Sequence, residues 1–261
     1  MDLELISHLI ILLPLAFAAG LIDAAVGGGG LIQVPALFAT LPQAIPAALL
    51  GTNKFSSIMG TMSATWRYTR HVKLDWHILL PSAVAAFIGS YIGAHAVNLL
   101  PVTWVRMTVI VLLVIMIFYT LYRPDFGKYA TKRPLTGRDL LLGLLIGAVI
   151  GFYDGFFGPG TGSFFIFLFV RFFHFDFIKA SASAKIVNIA TNLAALAFFI
   201  PAKLVLFIYA IPMAVANIAG AQVGTRLALK GGNTWIRRLF LVLASILLLK
   251  LIWDTVQQGN F

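Results

Sequence analysis

No cysteine occurs in the 261 residues. Disulfides, thiolate metal sites, iron–sulfur clusters and cysteine nucleophiles are thereby excluded. Charge is scarce as well: charged residues make up 11% of the chain against 60% hydrophobic, with a mean hydropathy of +0.95. That apolar excess is too great for one soluble core and marks an all-α integral membrane protein. At about 20 apolar residues per spanning helix, the length allows roughly eight to ten crossings and leaves no room for a soluble catalytic domain. The first 26 residues hold Asp2 and Glu4 but no Lys or Arg. They lack the basic n-region of a cleaved secretory signal, so the first apolar run is expected to stay as a helix.

Acidic residues are few, nine against 19 Lys and Arg, for a formal charge of +10. In a soluble chain this balance would point to nucleic acid. Here the basic residues gather in short segments between apolar runs, as the positive-inside rule expects, so the excess reports topology and no nucleic-acid partner is predicted. Metal and nucleotide signatures are missing too. His8, His71, His77, His95 and His174 show no paired ligand spacing such as HExxH, and the GPGTGS run lacks the Lys of a phosphate loop. No metal, no cofactor and no enzymatic activity are expected.

What is present is a series of apolar stretches, near 5–26, 31–42, 47–66, 77–99, 102–122, 139–157, 162–173, 180–200, 204–228 and 235–256. Two are short, 31–42 and 162–173, and each follows a glycine-rich break: Gly27, Gly28, Gly29 and Gly30, then Gly158, Pro159, Gly160, Thr161 and Gly162. The two breaks belong to an ungapped internal repeat. Asp23 and Asp154 are 131 residues apart, as are Lys54 and Lys185, Gly20 and Gly151, Pro81 and Pro212, Gly89 and Gly220, Gly93 and Gly224, Trp104 and Trp235, and Arg106 and Arg237. Residues 1–122 form one half and 139–261 the other, separated by a basic cytoplasmic loop at 123–138.

If all ten segments count as crossings, Arg67, Arg70 and Lys73, the central loop, Arg171 and Lys179, and Arg226, Lys230, Arg237 and Arg238 share the inner side, while Arg106 and Lys203 lie near outer ends. Short segments that dip in and return would weaken this bias. Five segments per half is an odd number. The halves are therefore expected to be inverted, with both termini outside, which is a transporter architecture.

Chemistry is expected where the apolar runs are interrupted. A glycine break exposes backbone N–H groups and the positive end of the next short helix, which suit an anion; glycine clusters also serve as plain packing contacts. Gly28, Gly29 and Gly30, and Gly160, Thr161, Gly162 and Ser163, are the candidate backbone and hydroxyl donors. Lys54 and Lys185 lie inside apolar segments, where a charge needs a partner, water or a ligand. Asn188 and Asn192 share the face of Lys185, and Ser57 and Thr61 that of Lys54. Thr52, Asn53 and Ser183 stand beside the lysines. Asp23 and Asp154, four residues before the breaks, are either proton-coupling groups or structural partners of the lysines. Gly89 and Gly93, with Gly220 and Gly224, have GxxxG spacing and read as scaffold.

The segments GLIDAAVGGGGLIQVPAL, LLGTNK, GFYDGFFGPGTGSFF and KASASAKIVNIATN, in that order, resemble the sulfite exporter TauE/SafE (TSUP) family, most closely its YfcA-like bacterial branch. The resemblance covers nearly the whole chain. It implies a multi-pass carrier of the bacterial inner membrane that moves small sulfur-containing anions such as sulfite, thiosulfate or organosulfonates along electrochemical gradients, in the direction of export. It also implies importance for Asp23, Gly27–Gly30, Pro35, Thr52, Asn53, Lys54, Asp154, Gly158, Lys185 and Asn188. Pro159 in place of Gly28 and Ala184 in place of Asn53 break the symmetry of the halves. The reading is a secondary anion transporter with its site near the midplane between the repeats; the alternatives are an anion channel and a non-transport membrane assembly protein.

Overall fold

The computed structural model describes residues 3–96, 114, 117–118, 121–122, 127 and 135–257. Most of the 102–122 segment, including Trp104 and Arg106, and most of the 123–138 loop lie outside them. Among the described residues every regular element is helical: α1 (Leu3–Val26), α2 (Gly30–Thr40), α3 (Pro46–Thr69), α4 (Trp76–His95), α5 (Gly137–Phe156), α6 (Thr161–Phe173), α7 (Phe177–Phe199) and α8 (Phe207–Gln257). α8 holds two helical stretches separated by non-helical Gly232, between the two apolar segments read from the sequence.

The 131-residue offset extends to element boundaries. α2 and α6, α3 and α7, and α4 and α8 begin at Gly30 and Thr161, Pro46 and Phe177, and Trp76 and Phe207. Local chemistry explains several of these starts. Pro46 occupies the first turn of α3, where its missing N–H goes unneeded. The Asp176 carboxylate accepts the Lys179 N–H at 2.7 Å at the start of α7, and Asp139 accepts the Thr136 N–H at 2.7 Å at the start of α5.

Five helical stretches are long and apolar enough to cross a bilayer, Glu4–Val26, Trp76–His95, Gly137–Phe156, Phe177–Phe199 and Phe207–Ile236. Large apolar side chains recur at helical spacing on their outer faces, as at Leu80, Val84 and Ile88, or Ile208, Ile211 and Val215, all exposed. Lipid is the environment that such a belt requires. The chain is a multi-pass membrane protein. α2, with 11 residues, rises about 16 Å, roughly half the hydrocarbon thickness. Leu37 of α2 and Leu41 just after it cluster with Leu12 and Met213, so α2 folds back along α1.

The two halves interlock. α1 packs most extensively on α8, and α4 on α5. Glycine makes this possible: a Cβ on Gly220 would overlap the Phe17 carbonyl, and one on Gly93 the Phe152 carbonyl. The GxxxG pairs are close-approach scaffold, as expected from spacing.

Side chains also identify the two ends of the bundle. At one end Lys179 pairs with Asp75 at 2.6 Å, the Phe177 N–H donates to the Gly127 carbonyl at 2.8 Å, and the Ile178 N–H to Asn233 at 2.9 Å. At the other end His8 and Tyr209 are 3.1 Å apart, and the Leu206 N–H donates to the Thr52 hydroxyl at 2.9 Å.

Candidate functional site

Breaking a helix inside a bilayer strands backbone groups that must find partners in protein or trapped water. α1 stops at Val26 because Gly27 adopts φ +78°, a left-handed geometry that glycine tolerates. α5 stops before Gly158 (φ +91°) and Gly160 (φ +84°) in the same way. The breaks touch: the Ser163 N–H donates to the Gly27 carbonyl at 3.2 Å, and a Cβ on Gly27 would overlap the backbone of Gly162. The two glycine clusters are thus both a crossing point and the wall of a cavity.

Each lysine reaches into the opposite half. Lys54 Nζ lies 2.7 Å from Asp154 Oδ2, and Lys185 Nζ lies 2.9 Å from Asp23 Oδ2. All four residues are buried. Each lysine is the ninth residue of its helix, about 12 Å along the axis from the helix start. The structural pairing weighed at the sequence level is therefore present, and neither ammonium is bare in this conformation.

A polar cavity lies between the pairs. It is lined by Asp23, Gly27, Gly30, Asn53, Lys54, Ser57, Asp154, Gly158, Gly160, Thr161, Gly162, Asn188 and Asn192. About 20 Å³ is open to the centre of a water molecule, against roughly 10–15 Å³ needed to hold one. The cavity therefore has room for a water molecule and little more. The Asn53 side-chain oxygen has no hydrogen-bond partner among the described residues. The starts of α2 and α6 both contribute lining, so two helix N-termini border one polar space. A wider groove of about 480 Å³ over α4 and α5 is lined by Ala85, Ile88, Gly89, Ile92, Ala148, Val149 and Phe152; it has the chemistry of a lipid-facing surface.

All thirteen lining residues were singled out from sequence: Asp23, Asn53, Lys54, Asp154, Gly30, Gly160, Thr161, Gly162, Asn188 and Asn192 as site candidates, Gly27 and Gly158 at the breaks, and Ser57 on the face of Lys54. Lys185 stands behind it, held by Asp23. Thr52 donates its hydroxyl to the Ala48 carbonyl at 2.7 Å and accepts from Leu206, fastening α3 to the loop before α8. Ser163 donates to the Val26 carbonyl at 2.8 Å. The Ser183 hydroxyl is buried without a partner among the described residues. Gly28 and Gly29 lie off the lining, although the Gly29 N–H donates to Asp23 Oδ1 at 3.3 Å.

Residues not anticipated complete the supporting shell. Tyr68 donates to the Ala24 carbonyl at 2.9 Å, Ser181 to that of Ala25 at 3.0 Å, and Asn217 to the Gln33 side chain at 2.9 Å. Ser181 sits one turn before Lys185, a spacing that could have flagged it. Tyr68, near the end of its helix, carried no such signal.

A multi-pass helical protein whose broken helices and buried ion pairs converge on one polar cavity has the build of a membrane transporter. Comparison with known proteins agrees. The family model described as sulfite exporter TauE/SafE matches residues 12–251, and the chain belongs to that family. It is 35% identical over 261 residues to the "Probable membrane transporter protein" of Haemophilus influenzae, covering 98% of both chains. It is 34% identical over 248 residues to the "Probable membrane transporter protein YfcA" of Escherichia coli strain K12, covering 95% of this chain and 91% of that one. It is also 35% identical over 253 residues to the "Probable membrane transporter protein ORF9" of a Sinorhizobium species, covering 96% and 95%. No solved structure matches the chain.

Proposed function

We propose that the protein is a proton-coupled secondary transporter of small sulfur oxyanions, sulfite or an organosulfonate, in the bacterial inner membrane, with its site in the cavity between the two ion pairs. The observation that carries this reading is the exchange of partners between halves. Each buried ammonium is neutralised by a carboxylate of the other half beside a water-sized polar space. An incoming anion competes with a carboxylate for an ammonium, and a proton on the displaced carboxylate restores neutrality. Loosening one pair also loosens a contact between halves, which links binding to their relative movement.

The halves are inverted in this reading. Its support is that the start of α3 lies with the end of α7, through Gly51 and Phe199, while the loop after α3 lies with the start of α7, through Asp75 and Lys179. The shared end carries the basic residues near 67–73 and 179 and is assigned to the cytoplasm, with both termini on the other side.

The test is uptake by wild-type protein in proteoliposomes under an imposed pH gradient. Labelled sulfite or methanesulfonate should accumulate above equilibrium in protein-containing vesicles, with collapse of the pH gradient. Equal labelling of protein-free and protein-containing vesicles across the anion panel contradicts the proposal. Flux that dissipates an anion gradient without proton movement favours a channel.

A further inference from the structure

The halves share an architecture, but their breaks are secured differently. The last carbonyls of an α-helix have no intrahelical donor. At the end of α1 the Asp23 carbonyl accepts from the Gly27 N–H at 2.8 Å and from Lys185, and the last three are each taken by a side chain from another helix: Ala24 by Tyr68, Ala25 by Ser181 and Val26 by Ser163. The 131-residue offset puts Phe199, Leu50 and Ile32 at the positions equivalent to Tyr68, Ser181 and Ser163. These have no hydroxyl, so they cannot cap the end of α5. Among the described residues no side chain donates to the carbonyls of Gly155, Phe156 or Phe157.

The ion pairs differ in the same sense. Asp23 also accepts from the Gly29 N–H at 3.3 Å and lies 3.4 Å from the Thr61 hydroxyl, which donates to the Ser57 carbonyl at 2.9 Å; its ammonium partner is fully buried, off the cavity lining. Asp154 has Lys54 as its one side-chain partner among the described residues, and Lys54 lines the cavity. The Lys54 ammonium would lie 3.1 Å from a Cβ at Gly158, so it already stands against the backbone of the second break.

Building on the transport reading, we propose that the two pairs have different tasks: Lys54 and Asp154 form the working pair, whereas Lys185 and Asp23 fix the first break as a rigid wall. The anion, a small sulfonate or sulfite, takes the Lys54 ammonium. Asp154 loses that partner and receives one proton from water on the side from which the anion entered. On release the proton leaves and the ion pair re-forms, so one proton accompanies each anion and the charge of the pair plus its ligand is unchanged for a monoanion. The charged and titratable groups around Asp154 are Lys54 on α3, Asp23 across the cavity with Lys185 behind it, and neighbouring Tyr153, whose hydroxyl donates to the Pro159 carbonyl at 2.5 Å.

Methanesulfonate binding to the detergent-solubilised full chain, measured at several pH values, tests this assignment, because the charge of methanesulfonate is constant. Wild-type affinity should weaken about tenfold per pH unit across the range in which the free carboxylate is ionised and the anion-bound one is protonated. Asp154→Asn should bind at least as tightly as wild type at every pH, with no slope. Tyr68→Phe and Ser181→Ala, which remove caps of the first break and lie off the cavity lining, should lower the melting temperature and keep the wild-type slope. A retained slope in Asp154→Asn, or a lost slope in folded Tyr68→Phe or Ser181→Ala, overturns the division of tasks. Wild-type protein that neither binds nor transports sulfite or methanesulfonate overturns the transport reading itself, before any variant is compared.

Discussion

Lys54 on α3 reaches Asp154 on α5 at 2.7 Å, while its repeat-equivalent Lys185 reaches Asp23 at 2.9 Å, so that neither lysine is neutralised by its own half. Two crossed ion pairs tie the halves together at the place where a helix of each is interrupted.

Removing one member of such a pair strands a buried charge. Lys185→Ala should therefore destabilise the protein by about 3–5 kcal/mol, read as a loss of thermal stability in detergent. The neutral double variant Lys185→Met with Asp23→Asn should recover much of that loss. Equal instability of the single and double variants would show that the stranded charge is not the cause.

Gly158 should not tolerate a side chain. Its φ of +91° strains any L-residue, and an added Cβ would press on the Lys54 ammonium. Gly158→Ala should lower stability by about 1–3 kcal/mol and weaken anion binding. Gly137→Ala meets nothing within 4 Å and serves as the control, with unchanged melting and binding.

The interlock of halves makes a separate prediction. A Cβ on Gly155 would overlap the Ser90 carbonyl, and one on Gly220 that of Phe17. Backbone cannot yield as a flexible side chain does, so each Gly→Ala change should cost about 1–3 kcal/mol. By contrast, the Lys179–Asp75 pair is partly exposed, at 23% and 36% for the two side chains. Lys179→Ala should change stability by no more than about 1 kcal/mol. Melting of purified variants in one detergent compares all three.

Because the chain has no cysteine, single introduced thiols report topology without background. Gln43→Cys, between α2 and α3, and Lys73→Cys, between α3 and α4, are exposed positions. Impermeant maleimide should label the first from the periplasm and the second only after the membrane is opened. Labelling of both from one side contradicts the proposed orientation.

Much of this arrangement is legible in the sequence. Gly27 and Gly158 announce breaks because an apolar run cannot otherwise be interrupted at depth. The constant spacing from Asp23 to Asp154 and from Lys54 to Lys185 fixes which residues are equivalent. It does not fix which lysine meets which aspartate, since partner choice depends on helices of the opposite half passing one another. The same limit explains Thr52 and Ser163, whose hydroxyls are engaged by backbone at Ala48, Leu206 and Val26. It also explains Tyr68, whose role depends on where α1 ends in space. The difference between the breaks was partly readable: Phe199, Leu50 and Ile32 stand in the sequence opposite three hydroxyl residues, but they acquire meaning only once those hydroxyls are seen to cap α1.

The most direct measurement compares labelled sulfite accumulation by proteoliposomes containing wild-type protein or the double variant Lys54→Gln with Asp154→Asn, which removes the cavity's ammonium without stranding a carboxylate. Wild-type vesicles should concentrate sulfite under an inward proton gradient, and the double variant, folded and monodisperse, should show no uptake above protein-free vesicles. Wild-type accumulation by the double variant would contradict the placement of the anion at Lys54.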